Sequence, residues 1–191
     1  CTPPDAMSDD DRLDERCLES SVVYQGGFLQ VRRDRVALPD ATEAMREYIV
    51  HPGAVMVVPM FDDGRVVIER QFRYPLHRSL LEFPAGKIDP NEDHLACAVR
   101  ELREETGYSA RDWHFLGTIH NAIGYSDEHI EIYLATGLSA GERQLDAGEF
   151  LDVLTMPLEA VIAAVDAGEI TDVKTIIGAY WVERHLRRQP R

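Results

Sequence analysis

Six consecutive residues carry most of the chemical information in this chain: Arg100-Glu101-Leu102-Arg103-Glu104-Glu105. If the segment is helical, Glu101 and Glu105 stack one turn apart and Glu104 lies on the flank between them. Three like charges on adjacent turns repel, and a helix gains nothing from that arrangement alone. A hard divalent cation reverses the balance, because Mg2+ takes a few carboxylate oxygens and fills its shell with water and phosphate oxygens. Such a site would neutralise an anionic phosphoryl group and ready it for attack by water. Acidic runs on helices are also common as plain solvated surface, so the surrounding residues decide. Gly86 opens a permissive loop before the helix, and Gly107 stands where a helix would terminate. On a helical wheel Arg100 lies about 80° from Glu92 and can lean across to it, tying loop to helix.

The helix that presents these carboxylates is expected over 93–106. Its core-facing stripe should be Leu95, Val99, Leu102 and Thr106, with Ala98 beside them. Cys97, one turn before Glu101, is read as a packing residue. Ahead of the helix, 22–24 and 28–38 flank Gly26-Gly27 as a hairpin, and 48–50, 54–60 and 65–72 read as strands. Residues 84–94 read as loop. Beyond the helix, strands are expected at 113–121, 129–136 and 150–156, then helices at 158–167 and 172–187. Residues 1–19 hold seven acids and read as a flexible lead-in. The remainder divides into a small β domain over 20–50 and a mixed α/β domain over 51–191.

Composition narrows the partners. The 191 residues suit one domain with a small appendage, and 34 acids against 20 bases leave a formal charge of −14. That field repels a nucleic-acid backbone, so no nucleic-acid partner is expected, whereas a small anion bridged by a metal is compatible with it. The longest nearly apolar stretch, 52–61, is too short to span a bilayer, and the first twenty residues lack the basic start and apolar run of a signal peptide. Three cysteines without a CxxC pair argue against a disulfide framework or zinc knuckle, and suit a reducing cytoplasm. The seven histidines show no HExxH or similar spacing.

Taken together, Gly86, five residues, Glu92, seven residues, then Arg100-Glu101-Leu102-x-Glu104-Glu105-x-Gly107-Tyr108 resemble the Nudix box at every specified position. The resemblance implies the Nudix fold, an α/β/α sandwich around a mixed sheet. It also implies Mg2+-dependent hydrolysis of a nucleoside diphosphate linked to another moiety, with Mn2+ as a substitute metal. The implied ligands are Glu101, Glu104, Glu105 and the Ala85 carbonyl, while Gly86, Glu92, Arg100 and Gly107 serve the box structurally.

Three flanking segments sharpen the resemblance. Arg70-Gln71-Phe72-Arg73 and Leu81-Glu82-Phe83-Pro84-Ala85-Gly86 resemble the ADP-ribose pyrophosphatase branch, which implies that Arg73 and Glu82 contact substrate. Gly148-Glu149-Phe150-Leu151-Asp152-Val153 resembles the loop and strand that deliver a catalytic glutamate, pointing to Glu149, with Asp127 and Glu128 as second candidates. In this branch the small β domain swaps across a homodimer, and the products are AMP and ribose 5-phosphate. Three departures keep the substrate open. Ile123 stands where the branch usually has proline, and both tryptophans, Trp113 and Trp181, lie outside the first domain. His51 falls near a basic residue that some members donate across the dimer; Phe28 is either an adenine-stacking ring or a core aromatic. Hydrolysis of a dinucleoside polyphosphate or another nucleotide sugar is the alternative activity, and a ligand-sensing module without catalysis the alternative class.

Overall fold

The turn at Gly26-Gly27 closes a hairpin of β1 (Arg16–Gln25) and β2 (Gln30–Ala37), and β3 (Glu43–Val50) adds antiparallel to β2. The computed structural model describes residues 12–145 and 148–188. Residues 1–11, most of the expected lead-in, and Asp146-Ala147, just ahead of Glu149, lie outside the described residues. The chain folds as two compact units. One takes in the N-terminal residues up to His51 together with Ala122–Glu128; the other holds Pro52–Asn121 and everything from His129. Within the first unit, Ile49 N–H donates to the Tyr125 carbonyl and so pins the 122–128 segment to β3. This sheet buries little: among its described hydrophobic residues only Val36 is buried, whereas Val22, Val23, Tyr24, Phe28, Leu29 and Met45 are exposed.

In the second unit β4 (Ala54–Pro59) is a continuous apolar run, and all six residues are buried, as a strand covered on both faces requires. The Asp62-Asp63-Gly64 turn leads into β5 (Arg65–Arg73), followed by β6 (Arg78–Glu82) and the short β7 (Ala85–Lys87). Then come α1 (His94–Thr106), β8 (Tyr108–His120), β9 (His129–Ala140), β10 (Leu151–Pro157), α2 (Leu158–Asp166) and α3 (Val173–Arg188). One sheet has the order β7-β4-β9-β8, with β4 and β9 parallel and the other pairs antiparallel; the second, fully antiparallel, has the order β10-β5-β6. Alternate residues of β4 feed two cores. Met56 and Val58 join Val161 of α2 and Val182 of α3, while Val55 and Val57 join Cys97, Ala98 and Leu102 of α1. Helices therefore cover both sides of the sheet layer, the α/β/α arrangement expected. No helix among the described residues is long and apolar enough to cross a membrane.

Three local expectations need correction. The buried face of α1 is Cys97, Ala98, Leu102, Glu105 and Thr106, whereas Leu95 and Val99 are exposed. The helix is thus rotated from its apolar stripe, because a glutamate goes inward. The 84–94 loop contains β7, which exists through pairing with β4 rather than through its own composition. Strand β6 escaped sequence reading altogether, and it is the strand that carries Glu82.

Candidate active site

The acidic helix is fixed at both ends. The Asp93 carboxylate accepts the Ala96 N–H at 3.0 Å, and Gly107 ends the helix at φ 76° while its N–H donates to the Arg103 carbonyl. The segment carrying Gly86 lies alongside, held to the most buried strand: Val55 faces Gly86, and Val57 N–H donates to the Pro84 carbonyl at 2.9 Å. Arg100 ties the two together. Its guanidinium donates to both Glu92 oxygens at 2.8 and 2.9 Å, to Glu101 at 2.8 Å and to Glu104 at 3.0 Å. The Arg100 bonds hold the Glu92 carboxyl at about 2. Cys97 sits beneath, its thiol against the Lys87 carbonyl, and burial pushes it up to about 12. A thiol so hard to ionise packs rather than reacts.

Gly86 leaves no room for a side chain. A Cβ there would fall 1.9 Å from the Glu101 carboxyl carbon and from its Oε1, so the carboxylate lies directly on the loop backbone. Glu105 turns the other way and is 4% exposed; its Oε2 accepts the Ala85 N–H at 2.9 Å. Burial, and then the negative charges of Glu69, Glu101 and Glu149, push its carboxyl well above the usual range. Burial likewise raises Glu101. Glu149 is half-buried just before β10, and its negative charge helps to raise the carboxyls of Glu69, Glu101 and Glu105.

Two cations gather on Glu82. Arg73 forms a fork with Glu82, two bonds of 2.7 Å, and Lys174 of α3 donates to Glu82 and, at 3.0 Å, to Asp172. Burial opposes ionisation of Glu82, but Arg73 and Lys174 prevail and hold it at about 2. Thr175 locks this corner, donating to Asp172 at 2.6 Å and accepting the Phe83 N–H at 3.0 Å.

Asp127 and Glu128 belong to the other unit. There the Asp127 carboxylate accepts the His51 N–H at 2.8 Å, and Glu128 Oε1 is 3.7 Å from His51 Nε2. Phe28 is not a core aromatic: it is 55% exposed, its ring edge-on to His51 at 5.9 Å. Trp181 lies over Gly117 and Trp113 packs edge-on to Tyr133, both within the second unit.

Sequence reading missed two residues, Lys174 and Glu69. Lys174 left only a faint mark, a basic residue within the first turn of an otherwise mostly apolar helix. Glu69 left a clearer one: an acid directly after Val66, Val67 and Ile68, all fully buried.

The donors suit a hard divalent cation: carboxylate oxygens, a backbone cradle only glycine can form, and a buried glutamate oxygen on Glu69 without a partner. Among the described residues no three acidic, histidine or cysteine side chains yet converge on one point. Arg100 keeps Glu101 and Glu104 to itself, and Glu105 is turned to Ala85.

The sequence over residues 50–176 matches the model of the NUDIX domain. The chain belongs to the Nudix family. Residues 15–49 also match the nucleoside diphosphate sugar hydrolase N-terminal domain, which coincides with the three-stranded sheet. Among curated relatives, the Nudix chain is 34% identical over 173 residues to the ADP-ribose pyrophosphatase of Bacillus subtilis, covering 90% of this chain and 94% of that one. It is also 34% identical, with the same coverage, to the methanol dehydrogenase activator of Bacillus methanolicus. The crystal structure of an ADP compounds hydrolase superposes with a TM-score of 0.82 at 24% identity, over 91% of this chain and 94% of the other, which establishes the shared Nudix fold.

Proposed function

We propose that this Nudix protein hydrolyses the pyrophosphate bond of ADP-ribose or a related nucleoside diphosphate sugar, releasing AMP and ribose 5-phosphate or the equivalent two monophosphates. One observation carries the reading: the Glu101 carboxylate lies on the Gly86 backbone and Glu105 accepts the Ala85 N–H, while Arg73 and Lys174 both bond to Glu82. The nucleoside diphosphate sugar hydrolase module at 15–49 and the near full-length likeness to an ADP-ribose pyrophosphatase favour this substrate class over dinucleoside polyphosphates. No acid of the box is missing, which speaks against a sensing module without catalysis.

Glu101, Glu104 and Glu105, with the Ala85 carbonyl, would hold Mg2+, or Mn2+ in its place. The bound metal would supply charge neutralisation of the phosphoryl oxygens and activation of water. Glu149 would accept the proton of the attacking water, since it stands on the segment entering β10 and not on the rigid helix. Arg73 has N–H groups beyond the two it gives to Glu82, and these would hold a non-bridging phosphate oxygen. Glu82, ionised and pinned by two cations, would accept from a sugar hydroxyl. Gly86, Glu92, Arg100 and Gly107 would shape the loop and helix.

The same reading divides the chain into a lead-in shorter than the 1–19 expected, because β1 already starts at Arg16, then a β domain up to residue 50 and the hydrolase domain over 51–191. The β domain buries so little of its own apolar surface that it would dock on a second copy, as a swapped homodimer. A cytoplasmic setting is part of this reading; Cys97 keeps a free thiol in the core, whereas Cys17 is disulfide-bonded, against the reducing setting expected from the sequence. No nucleic acid or membrane partner is proposed for a surface of charge −14. A panel of ADP-ribose, other nucleoside diphosphate sugars and dinucleoside polyphosphates, assayed by phosphate-product release with Mg2+ and with chelator, tests the proposal. Turnover of ADP-ribose only in the presence of metal is expected. Full activity in chelator would overturn the metal reading, and preference for dinucleoside polyphosphates the substrate reading.

A further inference from the structure

Among the described residues, Glu69 Oε1 is the only buried side-chain nitrogen or oxygen that lacks a hydrogen-bond partner. Glu69 sits in the middle of β5, 3% exposed, with Val153 opposite on one side and Glu82 opposite on the other. The cations that would answer it are engaged elsewhere. Arg73, on the same face of β5, spends its fork on Glu82, and Lys174 is shared between Glu82 and Asp172. Their charges reach Glu69 only through space, and Glu149 and Glu82 work against them.

Burying a carboxylate unpaired is among the costliest arrangements in a protein interior. The neighbours Val66, Val67 and Ile68 show what the position otherwise rewards, since each is fully buried at no such cost. A leucine at 69 would fill the same strand. The glutamate makes physical sense only if something positive joins it.

Glu105 of α1 has the same need. Its carboxylate is buried, holds one backbone N–H, and feels Glu69 as the strongest of its charged neighbours. Arg100, which neutralises Glu101 and Glu104, makes no bond to either. The acids thus fall into two groups, Glu101 and Glu104 with a cation already bonded and the buried Glu69 and Glu105 without one.

We infer that Glu69 is a further oxygen ligand, lying outside the box helix, and that Glu69 and Glu105 share one divalent cation between strand β5 and helix α1. The inference rests on the metal-dependent reading proposed above. One doubly charged ion balances the pair, and its all-oxygen shell is the kind that Mg2+ and Mn2+ accept. A metal held from two elements also fixes α1 against the sheet that carries Arg73, so both sides of the site are set in one step.

The alternative is a proton shared between the two acids, and metal binding without substrate separates the cases. The full chain, stripped with chelator, is titrated with Mn2+ alone, and free Mn2+ is followed by electron paramagnetic resonance. Wild type is compared with Glu69→Gln and Glu69→Leu. The expected result is the loss of one bound Mn2+, or binding weaker by at least roughly ten- to a hundredfold, in both variants. Metal-free melting temperatures should be equal to or above wild type, because an unpaired buried acid has been removed, and the rise on adding Mn2+ should shrink. Wild-type stoichiometry and affinity in both variants would overturn the role of Glu69 and leave the hydrolase reading standing. A wild-type chain that binds no Mn2+ would overturn both.

Discussion

Gly86→Ala is the most revealing single change, because it adds one methyl group and no charge. The new Cβ would lie 1.9 Å from the Glu101 carboxyl carbon, and Cβ contacts below 3.0 Å essentially never occur, so the carboxylate must retreat by 3.0 less 1.9, about 1.1 Å. The backbone at 86 is not in the left-handed region, so the substitution brings no dihedral strain of its own. Glu101 is the far end of a flexible side chain, and what yields is its 2.8 Å bond to Arg100. A partly exposed ion pair of that kind contributes about 0.2–1 kcal/mol, so the melting temperature should fall by only a few degrees. Catalysis should respond far more. A misplacement of about 1 Å in a catalytic group can lower the rate by about a hundredfold, roughly 2.7 kcal/mol in the barrier. The assay is phosphate-product release from ADP-ribose at saturating Mg2+, paired with thermal melting. A variant within twofold of wild type would refute the argument that Glu101 must rest on the loop backbone. Collapse of the fold would show Gly86 to be a folding residue first.

Glu105→Gln keeps shape and removes charge, so kcat should drop by orders of magnitude while the helical circular dichroism persists; a near wild-type rate would reduce the helix face to solvated surface. Glu149→Gln should lower kcat at saturating Mg2+ with little shift in the Mg2+ midpoint, and the acidic limb of the pH–rate profile should weaken. Normal kcat there would transfer the base role to Glu128 or Asp127. In chelator, stability should decline as pH rises. Glu69 and Glu105 have carboxyls raised above the ordinary 4.5, so the folded chain holds protons that the unfolded chain has released, and that advantage disappears as pH climbs through the folded values. Melting in EDTA at about pH 5 and about pH 8 checks the sign; a higher melting temperature at the upper value would contradict it. Light scattering should give close to twice 21.6 kDa, and a clean monomer at micromolar concentration would dismiss the swapped sheet.

What the sequence made legible was whatever depends on spacing. Gly86, Glu92 and the acids of 100–105 are separated by fixed intervals along the chain, and helical geometry converts intervals into neighbours. The Glu92–Arg100 contact forms too, although Glu92 precedes the Asp93 cap and sits in the turn after Asp89 rather than on the helix. Lys174 and Glu82 are 92 residues apart, and nothing local in either segment announces the other. Even α1 was misjudged in rotation, since the apolar stripe of Leu95 and Val99 is outvoted by a buried glutamate that β5 and β7 require. Hydrophobic periodicity reads a helix as if only water and oil surrounded it; here a buried glutamate of α1 feels other acids.

The segment carrying Ala85 and Gly86 is hydrogen-bonded to β4, whose six residues are all buried. Amides there should be among the last to exchange with deuterium, opening only when the whole molecule opens. The backbone on which Glu101 rests is therefore as permanent as the fold itself. If Glu149 moves during turnover, deuterium uptake with and without nucleotide should change at the entry to β10 and not at β7.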